Sequence, residues 1–292
     1  MAAVEQKAYK PYLFLAPAIL LFAVFGIIPF YLLLKTSLLD WDGISLAPRL
    51  IGAGNYFEVI FQDPSFWHSF MKAGYVTLLA LTVQNLLALF LAIAVNRPLI
   101  GKGVYRTIFF LPPILSEIVV GLIWVWIYDG NFGILNQILS SIGLDALTRP
   151  WLADPRTALT AVSIVHMWKG FGWGFVIFLA GLQTIPEELY EAARVDGAGS
   201  WYRFWHITMP LLMPVLLLVS ILTILGTMQI FAIIIVTTQG GPAGHTEVPV
   251  WQIFSSMMGN RRFGYACAQG IVFGMILLVV SLIQMRLQKQ AG

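Results

Sequence analysis

The chain alternates long apolar runs with short polar connections. A membrane-spanning helix needs about 20 mostly apolar residues. Six segments meet that requirement: 12–34, 75–95, 108–128, 158–183, 211–237 and 266–285. Barrel strands are about 9–11 residues long with strict alternation, so these runs predict helices. The pattern therefore predicts an all-α polytopic membrane protein with six transmembrane helices.

The first run follows Lys7 and Lys10, as the apolar part of a signal peptide does. It continues well beyond the roughly 7–15 residues of such a peptide, and no small-residue cleavage site follows. It is expected to be a retained anchor.

The connections at 38–70, 129–157 and 238–264 carry turn formers and interfacial aromatics. Among them are Asp40-Trp41-Asp42-Gly43, Asp129-Gly130-Asn131 and Gly240-Gly241-Pro242. None is long enough for a separate domain, so residues 1–292 are expected to form one permease-like membrane domain. No internal repeat is visible, which weighs against transporters built from repeated halves.

Lys and Arg in short loops orient such a chain. Lys7, Lys10, Arg97, Lys102, Arg106, Arg194, Arg203, Arg286 and Lys289 fall on one side, against Arg49, Lys72, Arg149, Arg156, Arg261 and Arg262 on the other. The tight 96–107 loop decides the direction: both termini are expected in the cytoplasm.

Composition closes off other classes. Of 292 residues, 59% are hydrophobic and 11% charged, and the mean hydropathy is +0.81. Soluble domains carry about 25% charged residues, so this chain cannot cover a water-facing surface. Disorder is excluded on the same ground. Cys267 is the only cysteine, so no internal disulfide forms. The net charge of +3 is accounted for by basic residues at the membrane surface, and no nucleic-acid partner is expected.

Catalytic signatures are missing. The chain has no phosphate loop, no H-E-x-x-H, no G-x-S-x-G, and no Cys/His cluster with metal spacing. No enzyme, metal site or cofactor is expected in this chain. If it moves cargo uphill, an ion gradient or a partner must drive it.

Six of the 31 charged residues fall between Glu187 and Arg203. Thr184 and Glu187 have capping-box spacing. Pro186 suits a first turn, and Glu187 and Glu188 favour a helix N-terminus. Leu189, Ala192 and Ala193 share a face. Gly197 and Gly199 stop the helix, and Ser200 is placed to cap a second short helix through Phe204. Two readings stand: an interfacial loop at the headgroups, or a docking element whose small alanines admit a partner surface.

The string Glu191-Ala192-Ala193-x3-Gly197-x9-Ile207-x-Met209-Pro210 resembles the EAA motif of ABC importer permeases, with methionine at 209 where leucine is usual. Pro11 to Pro17, Tyr105-Arg106 with Leu111-Pro112, Leu179 to Pro186 and Gly240-Gly241-Pro242 extend the resemblance to the MalF-type permeases of carbohydrate uptake systems. The resemblance implies a bacterial inner-membrane subunit paired with a second, MalG-like permease. It implies two cytoplasmic ATPase subunits, which carry the ATP and Mg, and an extracytoplasmic sugar-binding protein. By the same resemblance, Glu191, Ala192, Ala193, Gly197, Ile207 and Pro210 form the ATPase-coupling element, about 186–206.

Polar residues inside spans are functional candidates. Glu117 and Lys169 lie roughly 14 Å and 21 Å from the inner ends of straight third and fourth spans. They either pair to fix helix packing or line a sugar cavity. Trp124, His166, Trp168, Gly170, Trp173 and Gly174 join them as pathway candidates. By resemblance, so do Thr223, Gly226, Thr227 and Gln229 in the fifth span. The expected cargo is a sugar or oligosaccharide. Polyol, glycerol-phosphate or acidic saccharide uptake by the same machinery is the alternative, and an ion-coupled secondary transporter using Glu117 or Lys169 is more remote.

Overall fold

A computed structural model describes residues 10–291, with side chains over 14–286. Lys7 lies outside the described residues, as do the side chains of Lys10, Pro11 and Lys289. Among the described residues, five helices are long and apolar enough to span a membrane, and a sharply bent helix pair makes up to six.

In chain order, α1 is Phe14–Ser37, α2 Gly54–Phe61, α3 Pro64–Asn96, α4 Lys102–Ile114 and α5 Glu117–Ile127. Then come α6 Ile134–Ser141, α7 Ala158–Gln183, α8 Glu187–Val195, α9 Ser200–Thr237, α10 Pro249–Phe254 and α11 Phe263–Ala291. A two-stranded ribbon, β1 (Leu39–Asp40) and β2 (Arg49–Leu50), pairs Leu39 with Leu50. Contacts divide the chain into two units, one reaching to Asp63 and including Ile253–Met275, the other Pro64–Gln252 with residues from Ile276.

In the first unit, α1 leaves its whole apolar stretch at the surface, as a helix facing hydrocarbon does. Asn55 of α2 donates to the Ser37 and Leu39 carbonyls at 2.9 Å each, satisfying the end of α1. Arg262 holds Glu58 bidentately at 2.7 and 2.6 Å and lies 4.1 Å over the Tyr265 ring. The Glu58 hydrogen bonds push the Arg262 pKa up from its usual value.

In the second unit α7 is central. Its N-terminal half packs Ala161, Val162 and Val165 against Val120 of α5 and against Ile233 and Ile234 near the end of α9. Its C-terminal half packs Phe175, Phe178 and Leu182 against Ala88 and Ala92 of α3 and Leu212 and Val219 of α9. Glycines bring the backbones close, as is usual in membrane bundles. A Cβ on Gly181 would lie 2.8 Å from Val215. Thr77 and Thr227 share a hydrogen bond of 2.7 Å between α3 and α9, and Thr223 donates to Asn85 at 3.0 Å.

The structure corrects several expectations. The segment 108–128 is not one straight span: α4 and α5 meet at 95°. Pro112 and Pro113 supply no N–H to the helix ladder, and the chain turns extended at Leu115 and Ser116. Glu117 therefore starts a helix instead of lying midway along one. The second span begins earlier, at Pro64, and the fifth starts at Ser200 and breaks at Gln229, Ile230 and Phe231. The expected second short helix through Phe204 is the first turn of α9. Ser200 does not cap it; its hydroxyl accepts from Arg203 at 3.2 Å. Thr184 makes no capping box either. Its hydroxyl donates to the Gly181 carbonyl at 2.8 Å, closing α7, while Pro186 occupies the N-cap of α8.

Candidate functional site

A cavity of about 380 Å³ lies among α3, α5, α7 and α9, midway along α7. That volume is in the range of small-molecule sites. Of the residues singled out in the sequence, Glu117, His166, Lys169, Gly170, Trp173, Gly174, Thr223 and Gly226 line it. The other four pathway candidates do not. Trp124 and Trp168 meet edge to face, with centroids 5.9 Å apart. Thr227 is fully buried in the α3–α9 contact, and Gln229 donates to the Leu225 carbonyl at 3.2 Å beside the helix break.

The bend in the third span builds one wall. Glu117 sits in the first turn of α5, where the helix dipole favours a carboxylate. Lys169 Nζ is 3.9 Å from Glu117 Oε1 and donates to the Pro113 carbonyl at 3.3 Å. It thereby serves an acceptor beside the bend, where α4 ends at Ile114. The lysine side chain is 14% exposed and the glutamate 44%, so the carboxylate is the more reachable of the two. Packing and lining are thus not exclusive: the pair does both.

Gln84, Ile177, Val219 and Leu222 complete the lining and were not anticipated. Gln84 matters most. It ends a π-helical turn at Ala80–Gln84 of α3, a distortion often found at functional sites. Its Oε1 is buried with no hydrogen-bond partner among the described residues. Gly170 makes room for it, since a Cβ there would meet Oε1 at 3.0 Å. An amide inside an apolar run was the signal that could have found it.

The second place is α8. Glu187, Tyr190 and Arg194 form its inner face, and Tyr190 bonds to Thr208 of α9 at 2.9 Å. Glu191 and Ala192 lie on the exposed face, Ala193 is half-buried, and Val195 is 88% exposed. Glu191 meets Arg194 at only 3.5 Å in an exposed pair, which contributes little to stability. Gly197 has φ +78°, and bonds from Gly197 to Arg194 O and from Ala198 to Ala193 O complete a Schellman stop. Ile207 lies in the π-helical turn Phe204–Thr208, and Pro210 sits in the first turn of the helical stretch that follows it.

A polytopic helical protein with a broken span, a polar cavity at mid-span and a surface helix at one end is, in class, a membrane transport subunit. Residues 84–291 match the family described as binding-protein-dependent transport system inner membrane component. The chain belongs to that family: it is a transport permease, not an enzyme, and an inner-membrane component. It is 34% identical to the sn-glycerol-3-phosphate transport permease UgpA of Agrobacterium fabrum, covering 94% of this chain and 93% of that one. It is 32% identical to the diacetylchitobiose uptake permease NgcF of Streptomyces coelicolor, covering 96% and 82%. A bacterial ABC transporter that imports the acidic polysaccharide alginate has the same fold, with a TM-score of 0.81, 24% identity and coverage of 96% and 94%.

Proposed function

We propose that this chain is the permease of an ATP-driven importer for a sugar or oligosaccharide handed over by an extracytoplasmic binding protein. The observation that carries the reading is the cavity. It is lined by Gln84, whose buried Oε1 lacks a partner, by the Glu117 carboxylate and by the Trp173 ring, at a depth where polar groups are costly unless used. Hydroxyls of a saccharide would satisfy the amide and the carboxylate, and its apolar ring face would stack on Trp173. Lys169 and Glu117 cancel each other's charge, which favours neutral cargo over acidic saccharides or glycerol phosphate. NgcF, whose name states diacetylchitobiose uptake, supports the saccharide class; UgpA supports the alternative.

In this reading a second, MalG-like permease completes the pathway, and two cytoplasmic ATPases bind ATP and Mg. The exposed Glu191, Ala192 and Val195 of α8 dock on one of them, with Gly197 setting the angle to α9. Both termini face the cytoplasm. Apolar side chains left at the surface of a polar helix support the docking role.

The test is uptake by proteoliposomes holding the whole transporter and its binding protein. ATP-dependent, vanadate-sensitive uptake of a neutral saccharide is expected. Uptake that survives vanadate and collapses with an uncoupler would overturn the reading in favour of ion coupling.

A further inference from the structure

A second cavity, about 880 Å³, is roofed by the inner face of α8. Its walls are the last turns of α3 and α7 and the first turn of α9, so it lies where spans end, at headgroup depth. Three guanidinium groups, Arg97, Arg194 and Arg203, line it against one carboxylate, Glu187. Arg203 donates to Ser200 Oγ at 3.2 Å, yet its Nε is buried with no partner. Arg97 has no side-chain partner among the described residues. Arg194 is held only by the 3.5 Å contact to Glu191. Trp201 and Ile93 add apolar wall beside the arginines.

We propose that this cleft binds the phosphodiester headgroup of an anionic phospholipid. Guanidinium forks match phosphate oxygens bidentately, and basic pockets between helices at the membrane surface select such lipids. A soluble phosphate would satisfy the arginines but leave the Trp201 and Ile93 walls uncovered. A glycerol backbone and the first acyl carbons cover both. The lipid then braces α8 against the ends of α3 and α7, stiffening the helix that the proposed ATPase contact would push.

The experiment is native mass spectrometry of the assembled transporter in mild detergent, titrated with dioleoyl phosphatidylglycerol. Parallel arms use dioleoyl phosphatidylcholine, inorganic phosphate and glycerol phosphate as competitors. The wild type is expected to retain phosphatidylglycerol about tenfold more tightly than phosphatidylcholine, and the soluble anions should not displace it. Arg97→Gln with Arg203→Gln should lose about tenfold in retention, whereas the double lysine variant, which keeps the charge but not the planar fork, should lie between it and the wild type. Equal retention in the glutamine variant overturns the proposal. Displacement by inorganic or glycerol phosphate overturns it in favour of a soluble anion. Retention only after the other subunits are stripped away overturns it in favour of a partner's acidic side chain. If the glutamine variant does not assemble, the lysine variant and the lipid comparison still decide.

Discussion

Lys169 reaches across the bend of the third span to place its Nζ 3.9 Å from Glu117 and 3.3 Å from the Pro113 carbonyl. One cation thereby serves an acceptor beside the bend and neutralises the cavity's carboxylate. Replacing Glu117 by Gln leaves the lysine its carbonyl but gives the cavity a net positive charge. Because Glu117 is nearly half exposed, the stability cost should be modest, on the order of 1 kcal/mol. Neutral saccharide uptake should fall about tenfold, and an acidic saccharide should become a competitor. Competition assays in proteoliposomes read this directly; unchanged selectivity would remove the pair from the pathway.

Lys169→Met is the harsher change, since it strips both contacts and leaves the Glu117 charge without its cation. The carboxylate left behind is 44% exposed and screened by solvent, so the loss of both contacts should cost on the order of 1–2 kcal/mol. Reduced yield and a lowered unfolding temperature are expected, with partial rescue in the Glu117→Gln, Lys169→Met double variant. A double variant no more stable than Lys169→Met would show that the two do not interact.

On α8, Glu191→Lys and Gly197→Asp should abolish ATP-driven uptake while the chain still folds and reaches the membrane. Gly197 has φ +78°, so a side chain there adds strain of about 1 kcal/mol as well as bulk at the docking face. Neither change touches the packed core. Full coupling of ATPase activity to uptake in either variant would contradict docking through this face.

Much of this was legible in the sequence because apolar length and the spacing from Glu191 to Pro210 are one-dimensional signals. Five long helices follow the apolar runs, and Gly197 stops α8 as its lack of a Cβ allows. Apolar length alone predicts a straight third span; Pro112 and Pro113, which each withdraw a ladder donor, bend it. Thr184 closes α7 instead of capping α8 because its hydroxyl has a nearer acceptor, the Gly181 carbonyl three residues back. Trp124 and Thr227 were polar or aromatic residues in a span, as the lining residues are, and only their rotation about the helix axis sends them into packing contacts. Gln84 carries the same signal as Glu117, a polar group in an apolar run, but without the charge that makes Glu117 stand out or a motif that points to it.

The α4–α7 contact yields a prediction about packing. Gly172 faces the Phe109 carbonyl and the Pro113 ring so closely that a Cβ would lie 2.7 Å from the ring. Backbone and proline cannot swing aside as a flexible side chain can. Gly172→Ala should therefore cost about 1–3 kcal/mol through overpacking. Gly226, which lines the cavity with nothing within 4 Å of an added Cβ, is the control: Gly226→Ala should fold normally. Thermal unfolding in detergent distinguishes them, and equal midpoints for the two variants would show that α4 and α7 can slide apart.

The last prediction concerns the buried contact between α3 and α9. The Thr77 and Thr227 hydroxyls lie 2.7 Å apart, and each also lies within reach of a carbonyl of its own helix, Ala73 O at 2.8 Å and Thr223 O at 2.9 Å, so their two protons are shared among three acceptors. Interhelical bonds of this kind in membranes average about 0.6 kcal/mol, because unpaired hydroxyls fall back on their own backbone. Thr227→Val keeps the shape and removes the hydroxyl, so it should destabilise by about that amount and leave uptake near wild type. Thr223 differs: it donates to Asn85 and also lines the cavity. Thr223→Val should cost a similar amount in stability but weaken saccharide uptake severalfold. Measuring unfolding and uptake for both separates a helix clamp from a cavity wall, and equal uptake losses in the two variants would erase that distinction.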